Sequence, residues 1–200
     1  MKISKQGLDF IKSFEGLRLQ SYWDKDGKVW TIGWGHTRGV KQGMVITKAQ
    51  AEQFLADDLA PIEKHLSADL ENEGIAQCQF DALCSWIFNL RDGIRQYNTS
   101  TLRRKLKAGD YKGAANEFPR WCHSGGKALP GLVTRRAAER KMFLQSGAAD
   151  FAALLLGVML TGAAVLVLQS GEADIADLLL GVMLAFCGGA AVLVAVIFVM

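Results

Sequence analysis

The strongest constraint on what this chain can fold into is the place where its charge stops. All 23 Lys and Arg residues fall at or before Lys141, and so do 16 of the 20 acids, which leaves residues 1–147 with a formal charge of +7. Residues 148–200 hold no base and only Asp150, Glu172, Asp174 and Asp177, a balance of −4. Two physical objects follow. Residues 1–147 are enough to bury a core without disulfides or metals. The remainder is an apolar tail.

Within the tail, residues 151–168 run for 18 positions without a charge and residues 178–200 for 23. As helices they would be about 27 and 34 Å long, close to a hydrocarbon core of about 30 Å. A polar turn from Gln169 to Asp177 separates them. Gln145-Ser-Gly-Ala-Ala-Asp150 returns as Gln169-Ser-Gly-Glu-Ala-Asp174, and Leu154-Leu-Leu-Gly-Val-Met-Leu160 returns unchanged after a shift of 24, so one helical unit is duplicated. Small residues recur every fourth position (Ala153, Gly157, Thr161; Gly181, Ala185, Gly189), the face by which membrane helices approach closely. The expectation is a two-helix transmembrane hairpin over residues 148–200, able to self-associate. The alternatives are a hydrophobic pair packed on the first domain, or a fused segment without function. Arg135, Arg136, Arg140 and Lys141 precede the first span and the turn carries three acids. The positive-inside rule then predicts an inner-membrane protein whose first domain starts in the cytoplasm.

The +7 of residues 1–147 suits an anionic partner. Nucleic acid, anionic lipid and bacterial cell wall all qualify, as does a solvated basic surface with no partner. Of the four cysteines no two form a Cys-x-x-Cys pair, and Cys122-His123 cannot be extended to four ligands. Buried free thiols, with no metal and no cofactor, are expected. Met1-Lys2-Ile3-Ser4 has no apolar segment of the kind a cleavable signal peptide needs.

Ser4 is placed to cap a first helix bearing Leu8, Ile11 and Phe14 at helical spacing, and Gly16 to end it. Glu15 is then the last helical residue, at the negative end of the dipole, an end that disfavours a carboxylate charge. Asp26-Gly27, flanked by aromatic and β-branched residues, predicts a small hairpin with Asp24 on its first arm and Thr31 on its second. Thr47-x-x-Gln50 reads as a capping box opening a helix that Pro61 interrupts. Residues 75–88 read as an apolar core helix, 99–107 and 110–118 as short helices, and 132–144 as a last helix after a glycine loop at 124–126. The sum is an α+β arrangement: a hairpin region followed by a mainly helical lobe.

Glycosidic bond cleavage needs an acid to protonate the leaving oxygen and a second carboxylate across the sugar. Glu15 at a helix end and Asp24 in a polar turn region suit these opposite needs. The surrounding residues are more specific. Glu15-Gly16, Asp24, and Thr31-Ile32-Gly33-Trp34-Gly35-His36-Thr37 form one block. Phe88-Asn89, Ser100-Thr101-Leu102-Arg103-Arg104-Lys105-Leu106, Phe118-Pro119-Arg120-Trp121 and Gly131-Leu132-Val133-x-Arg135-Arg136-x-x-Glu139-Arg140 follow in order. This succession resembles the phage-type lysozymes, glycoside hydrolase family 24, over about residues 3–145.

The resemblance implies a two-lobe lysozyme-like fold with a saccharide groove between the lobes. It implies an endolysin that hydrolyses the β-1,4 bond between N-acetylmuramic acid and N-acetylglucosamine in peptidoglycan, with no nucleic-acid partner. It makes Glu15 the general acid, with Asp24 and Thr31 directing a water. Trp34, His36, Asn89 and Arg136 join them as substrate-binding positions. Arg136 is the candidate partner of the acid, with Arg135 beside it. Asp26 is a rival for the second carboxylate, and His36 also fits a structural bridge from hairpin to helical lobe. Trp23, Trp34 and Trp121 suit sugar stacking or core packing. The chain departs from the family pattern after Asn89, where it has Leu90-Arg91-Asp92-Gly93, and in its apolar tail. Two other readings are an inert wall-binding module on a membrane pore or anchor, and a lytic transglycosylase.

Overall fold

The computed structural model describes residues 1–25 and 27–145; Asp26 and the tail from Ser146, with the expected membrane hairpin and its self-association, lie outside the described residues. Among the described residues no helix is long and apolar enough to cross a membrane.

Helix α1 spans Lys5–Glu15. The Ser4 hydroxyl accepts from the Gly7 amide at its start, and Gly16, at φ 67°, ends it, a conformation that suits glycine. Strands β1 (Arg18–Asp24) and β2 (Val29–Gly33) form an antiparallel hairpin. Its loop places Lys28, rather than Gly27, in the left-handed region, at φ 52°. The segment 44–46 runs along β1, with Ser21 N donating to Met44 O and Ile46 N to Leu19 O.

Helix α2 (Lys48–Asp69) opens with the Thr47–Gln50 capping box. It does not break at Pro61. Proline removes one backbone donor, but Leu55, Leu59, Ile62 and Leu66 bury an apolar face on both sides of it and hold one continuous helix. The core helix is α3 (Gln77–Asn89), against which α1, α2, α4 and α7 pack. Helix α4 (Gly93–Thr99) falls where the sequence suggested only a connection. Helices α5 (Thr101–Lys107) and α6 (Tyr111–Ala115) follow. Phe118–Trp121 forms a 3-10 turn, and a two-residue hairpin, β3 (His123–Ser124) with β4 (Lys127–Ala128), occupies the glycine loop. Helix α7 (Pro130–Leu144) closes the fold against α3.

Trp86 on α3 is fully buried and centres an aromatic cluster, with Trp121 at 5.1 Å, Phe118 at 5.8 Å and Tyr97 at 6.4 Å between ring centroids. These edge-on contacts lock the helical lobe around the end of α3. The arrangement is α+β, a small antiparallel hairpin attached to a helical body.

Candidate active site

A cleft of about 590 Å³ runs between the hairpin and the junction of α3 with α4. Its wall includes Glu15 from the end of α1, Asp24 and Thr31 from the hairpin, Asp58 from α2 and Asn89 from the end of α3. The strand register explains how the hairpin supplies two of these. Tyr22 pairs with Thr31, and Asp24 with Val29. Alternate strand positions share a face, so Tyr22, Asp24 and Thr31 face the cleft together. Trp23 and Trp30 take the opposite face and pack edge to face at 5.6 Å. A separate hollow of about 540 Å³ between the end of α2 and the start of α3 has Glu71 but no second carboxylate in its wall.

Two glycines shape the carboxylates' surroundings. Gly35, at φ 91°, passes so close that a Cβ there would lie 3.6 Å from Glu15 Oε2. A Cβ on Gly27 would fall 2.7 Å from Asp24 Oδ2, so the Asp24 carboxylate occupies the space that a side chain would need.

Thr31 is 4 % exposed, and its hydroxyl is buried without a hydrogen-bond partner. A hydroxyl in that position at the cleft wall is poised to hold a ligand or a water.

The partner of Glu15 is Arg135, whose Nη1 lies 2.5 Å from Glu15 Oε1. This corrects the expectation for Arg136. Arg136 is fully buried, donates from Nη2 to Asn89 Oδ1 at 2.7 Å, and has Nε 3.0 Å from Glu139 Oε2. Buried in this way it cannot touch a sugar; it braces Asn89, which does line the cleft. Burial pushes the Arg136 guanidinium down to about 10, against the opposing pull of Glu139, so it stays charged at neutral pH.

Two further expectations are corrected. Trp34 is 6 % exposed and sits in the core under the Lys12 ammonium, 4.7 Å from the ring centroid, so it is no sugar platform. His36 is also buried, with Nδ1 2.8 Å from Asp58 Oδ2 and Nε2 2.9 Å from the Arg38 carbonyl. It stacks on Phe54 at 4.3 Å. With both nitrogens engaged it has none for a substrate, and it ties the segment after β2 to α2. Trp121 belongs to the Trp86 cluster. Tyr22, Arg38 and Asp58 line the cleft and were not singled out from the sequence. Period-two spacing from Asp24 marks Tyr22, whereas nothing local marks Asp58.

One cleft thus brings together Glu15 from the end of α1, Asp24 from the hairpin and Asp58 from α2, a set of carboxylates of the kind that glycosidic bond cleavage uses. The phage lysozyme family model matches residues 12–139. An endolysin of Acyrthosiphon pisum secondary endosymbiont phage 1 is 45 % identical over 147 residues, covering 72 % of this chain and 98 % of that protein. A SAR-endolysin of Enterobacteria phage P21 is 37 % identical, covering 65 % and 77 %. Among solved structures, the muramidase domain of SpmX from Asticcacaulis excentricus superposes with a TM-score of 0.66 at 36 % identity, over 72 % of this chain and 98 % of that one. The chain belongs to the phage lysozyme family, and its function is that of a phage endolysin.

Proposed function

We propose that this enzyme hydrolyses the β-1,4 bond between N-acetylmuramic acid and N-acetylglucosamine in peptidoglycan. Glu15 protonates the leaving glycosidic oxygen. Asp24, with the Thr31 hydroxyl, directs water to the anomeric carbon. Cleavage of this kind needs an acid on one side of the sugar and a carboxylate on the other. The observation that carries the reading is the buried, unpartnered Thr31 hydroxyl in the same cleft wall as Glu15 and Asp24. A group of that kind is costly unless something binds it. The formal +7 of residues 1–147 draws the enzyme to the anionic wall.

The domain division is part of the same proposal: residues 1–147 carry the chemistry, and 148–200 attach them to the inner membrane as a helical hairpin whose small-residue faces self-associate. The enzyme is made on the cytoplasmic side and acts on the wall beyond. The lengths of the two charge-free stretches support this.

The test uses the full chain in mild detergent on purified sacculi, beside Glu15→Gln. The parent clears the suspension and releases fragments with a reducing end; the variant does not. A folded Glu15→Gln enzyme that retains activity overturns the assignment. Fragments carrying a 1,6-anhydro ring replace hydrolysis with transglycosylation. Recovery of the full chain in the soluble rather than the membrane fraction overturns the anchor.

A further inference from the structure

Behind Glu15, on the side away from the cleft, lies a chain of charges that the proposed chemistry does not use. Arg135, Arg136 and Glu139 sit at i, i+1 and i+4 of α7, so Glu139 stands one turn beyond both arginines on the same side of the helix. Glu139 is fully buried. Its Oε1 lies 3.1 Å from Arg135 Nε and 3.2 Å from Arg136 Nη2, and accepts from the Ser85 hydroxyl on α3 at 2.7 Å. Its Oε2 lies 3.0 Å from Arg136 Nε. Arg135 also donates from Nη2 to the Ser85 carbonyl at 3.2 Å. One carboxylate therefore holds both guanidinium groups, one of which reaches Glu15 and the other Asn89.

Burial works against a charge on Glu139. A neutral carboxyl there, however, would leave the Arg136 guanidinium buried without a carboxylate partner and Arg135 with Glu15 alone. The carboxylate is the form that the packing supports. Arg135, Arg136 and Glu139 then present a net +1 behind Glu15, where the two arginines alone would present +2.

We propose that Glu139 is a positioning residue for the reaction: it aims Arg135 at Glu15 and Arg136 at Asn89, and it sets how much positive charge stands behind Glu15. The proposal rests on Glu15 being the acid. It acts through Arg135 and never touches substrate.

The charge can be stepped without removing Arg135. Glu139→Gln presents +2 to Glu15, Arg136→Met presents 0, and the double variant restores +1. Positive charge behind an acid favours its ionised form. The alkaline limb of the activity profile therefore moves to lower pH in Glu139→Gln and to higher pH in Arg136→Met, each by on the order of one pH unit. In the double variant it stays with the parent. Glu139→Asp, which keeps the charge, also stays with the parent. The other titratable and charged groups that line the cleft with Glu15 are Tyr22, Asp24, Arg38, Asp58, Arg91 and Asp92, and those beside Glu139 and Arg136 are Ser85 and Cys122. All of them are common to every variant.

The measurement is the pH profile of sacculus clearing by the full chain and these four variants, with Glu15→Gln as control and thermal melts of each. Ordered limbs support the proposal, whatever the melts show. Limbs that coincide, or that move the same way in Glu139→Gln and Arg136→Met, overturn it and leave Glu139 a stability residue. If Glu139→Gln does not fold, Arg136→Met and the double variant decide, because Arg136→Met keeps the Arg135–Glu139 pair and the double variant removes a buried ion pair as a unit. An active Glu15→Gln instead overturns the reading of the acid, a separate failure.

Discussion

The space beside Gly27 is filled by the carboxylate of Asp24, whose Oδ2 lies 2.7 Å from where a Cβ would be. Gly27→Ala must move that carboxylate, because the far end of a flexible side chain yields more readily than backbone. The expected outcome is a fall in kcat of about tenfold or more with Tm within about 2 °C of the parent. Clearing rates and thermal melts of the same preparations check it; unchanged clearing shows that the position of Asp24 is immaterial.

Thr31→Val tests the water-directing role proposed for the hydroxyl, with little change of shape. The hydroxyl is buried and without a partner, so its loss costs no protein hydrogen bond. Stability is expected to hold or rise slightly, while kcat falls by about ten- to a hundredfold. A parallel loss of stability and activity would point instead to a packing role.

His36→Leu removes the link between the segment after β2 and α2. It leaves the Asp58 carboxylate and the Arg38 carbonyl without the partners now at 2.8 and 2.9 Å. The expected cost is about 3 kcal/mol, or about 10 °C in Tm, read by denaturant and thermal unfolding. An undiminished Tm would show that the bridge contributes nothing.

Asp69 sets an acid limit on stability. Burial would raise its carboxyl, but Arg103, at 2.7 and 3.0 Å, and the Tyr97 hydroxyl, at 2.7 Å, outweigh it and hold the group down at about 2 against the usual 3.8. A carboxyl held below its unfolded value stabilises the fold above that value and loses the contribution as pH falls toward the folded one. Asp69→Asn is therefore expected to cost on the order of 2 kcal/mol at neutral pH. The difference from the parent should shrink between about pH 4 and pH 2. A difference independent of pH would assign the cost to packing.

What the sequence made legible was local. Ser4, Gly16 and the apolar spacing between them delimit α1 and so leave Glu15 at its end. Strand alternation around one turn brings Asp24 and Thr31 to one face. The remainder depends on contacts that sequence spacing does not carry. Arg135 and Arg136 are neighbours on one helix. Which of them meets Glu15 is decided by how α7 is rotated, and that is set by the burial of Glu139, Met142 and Phe143. Trp34 is aromatic in a strand-like segment, and only the packing of α1 shows that Lys12 covers it. Pro61 reads as a breaker until the buried residues on both sides are counted against one missing hydrogen bond. Helix α4 has only Ile94 and Tyr97 as apolar residues, too few to reveal a helix before Tyr97 is seen inside the aromatic cluster.

Glu15 and Arg135 stand 120 positions apart. A chain emerging from the ribosome completes α1 and the hairpin early, and carries its carboxylates through most of synthesis without the guanidinium that faces them. The pair forms only after α7 has emerged and docked on α3. The order of synthesis thus makes the counter-ion of Glu15 one of the last parts of the folding domain to be made.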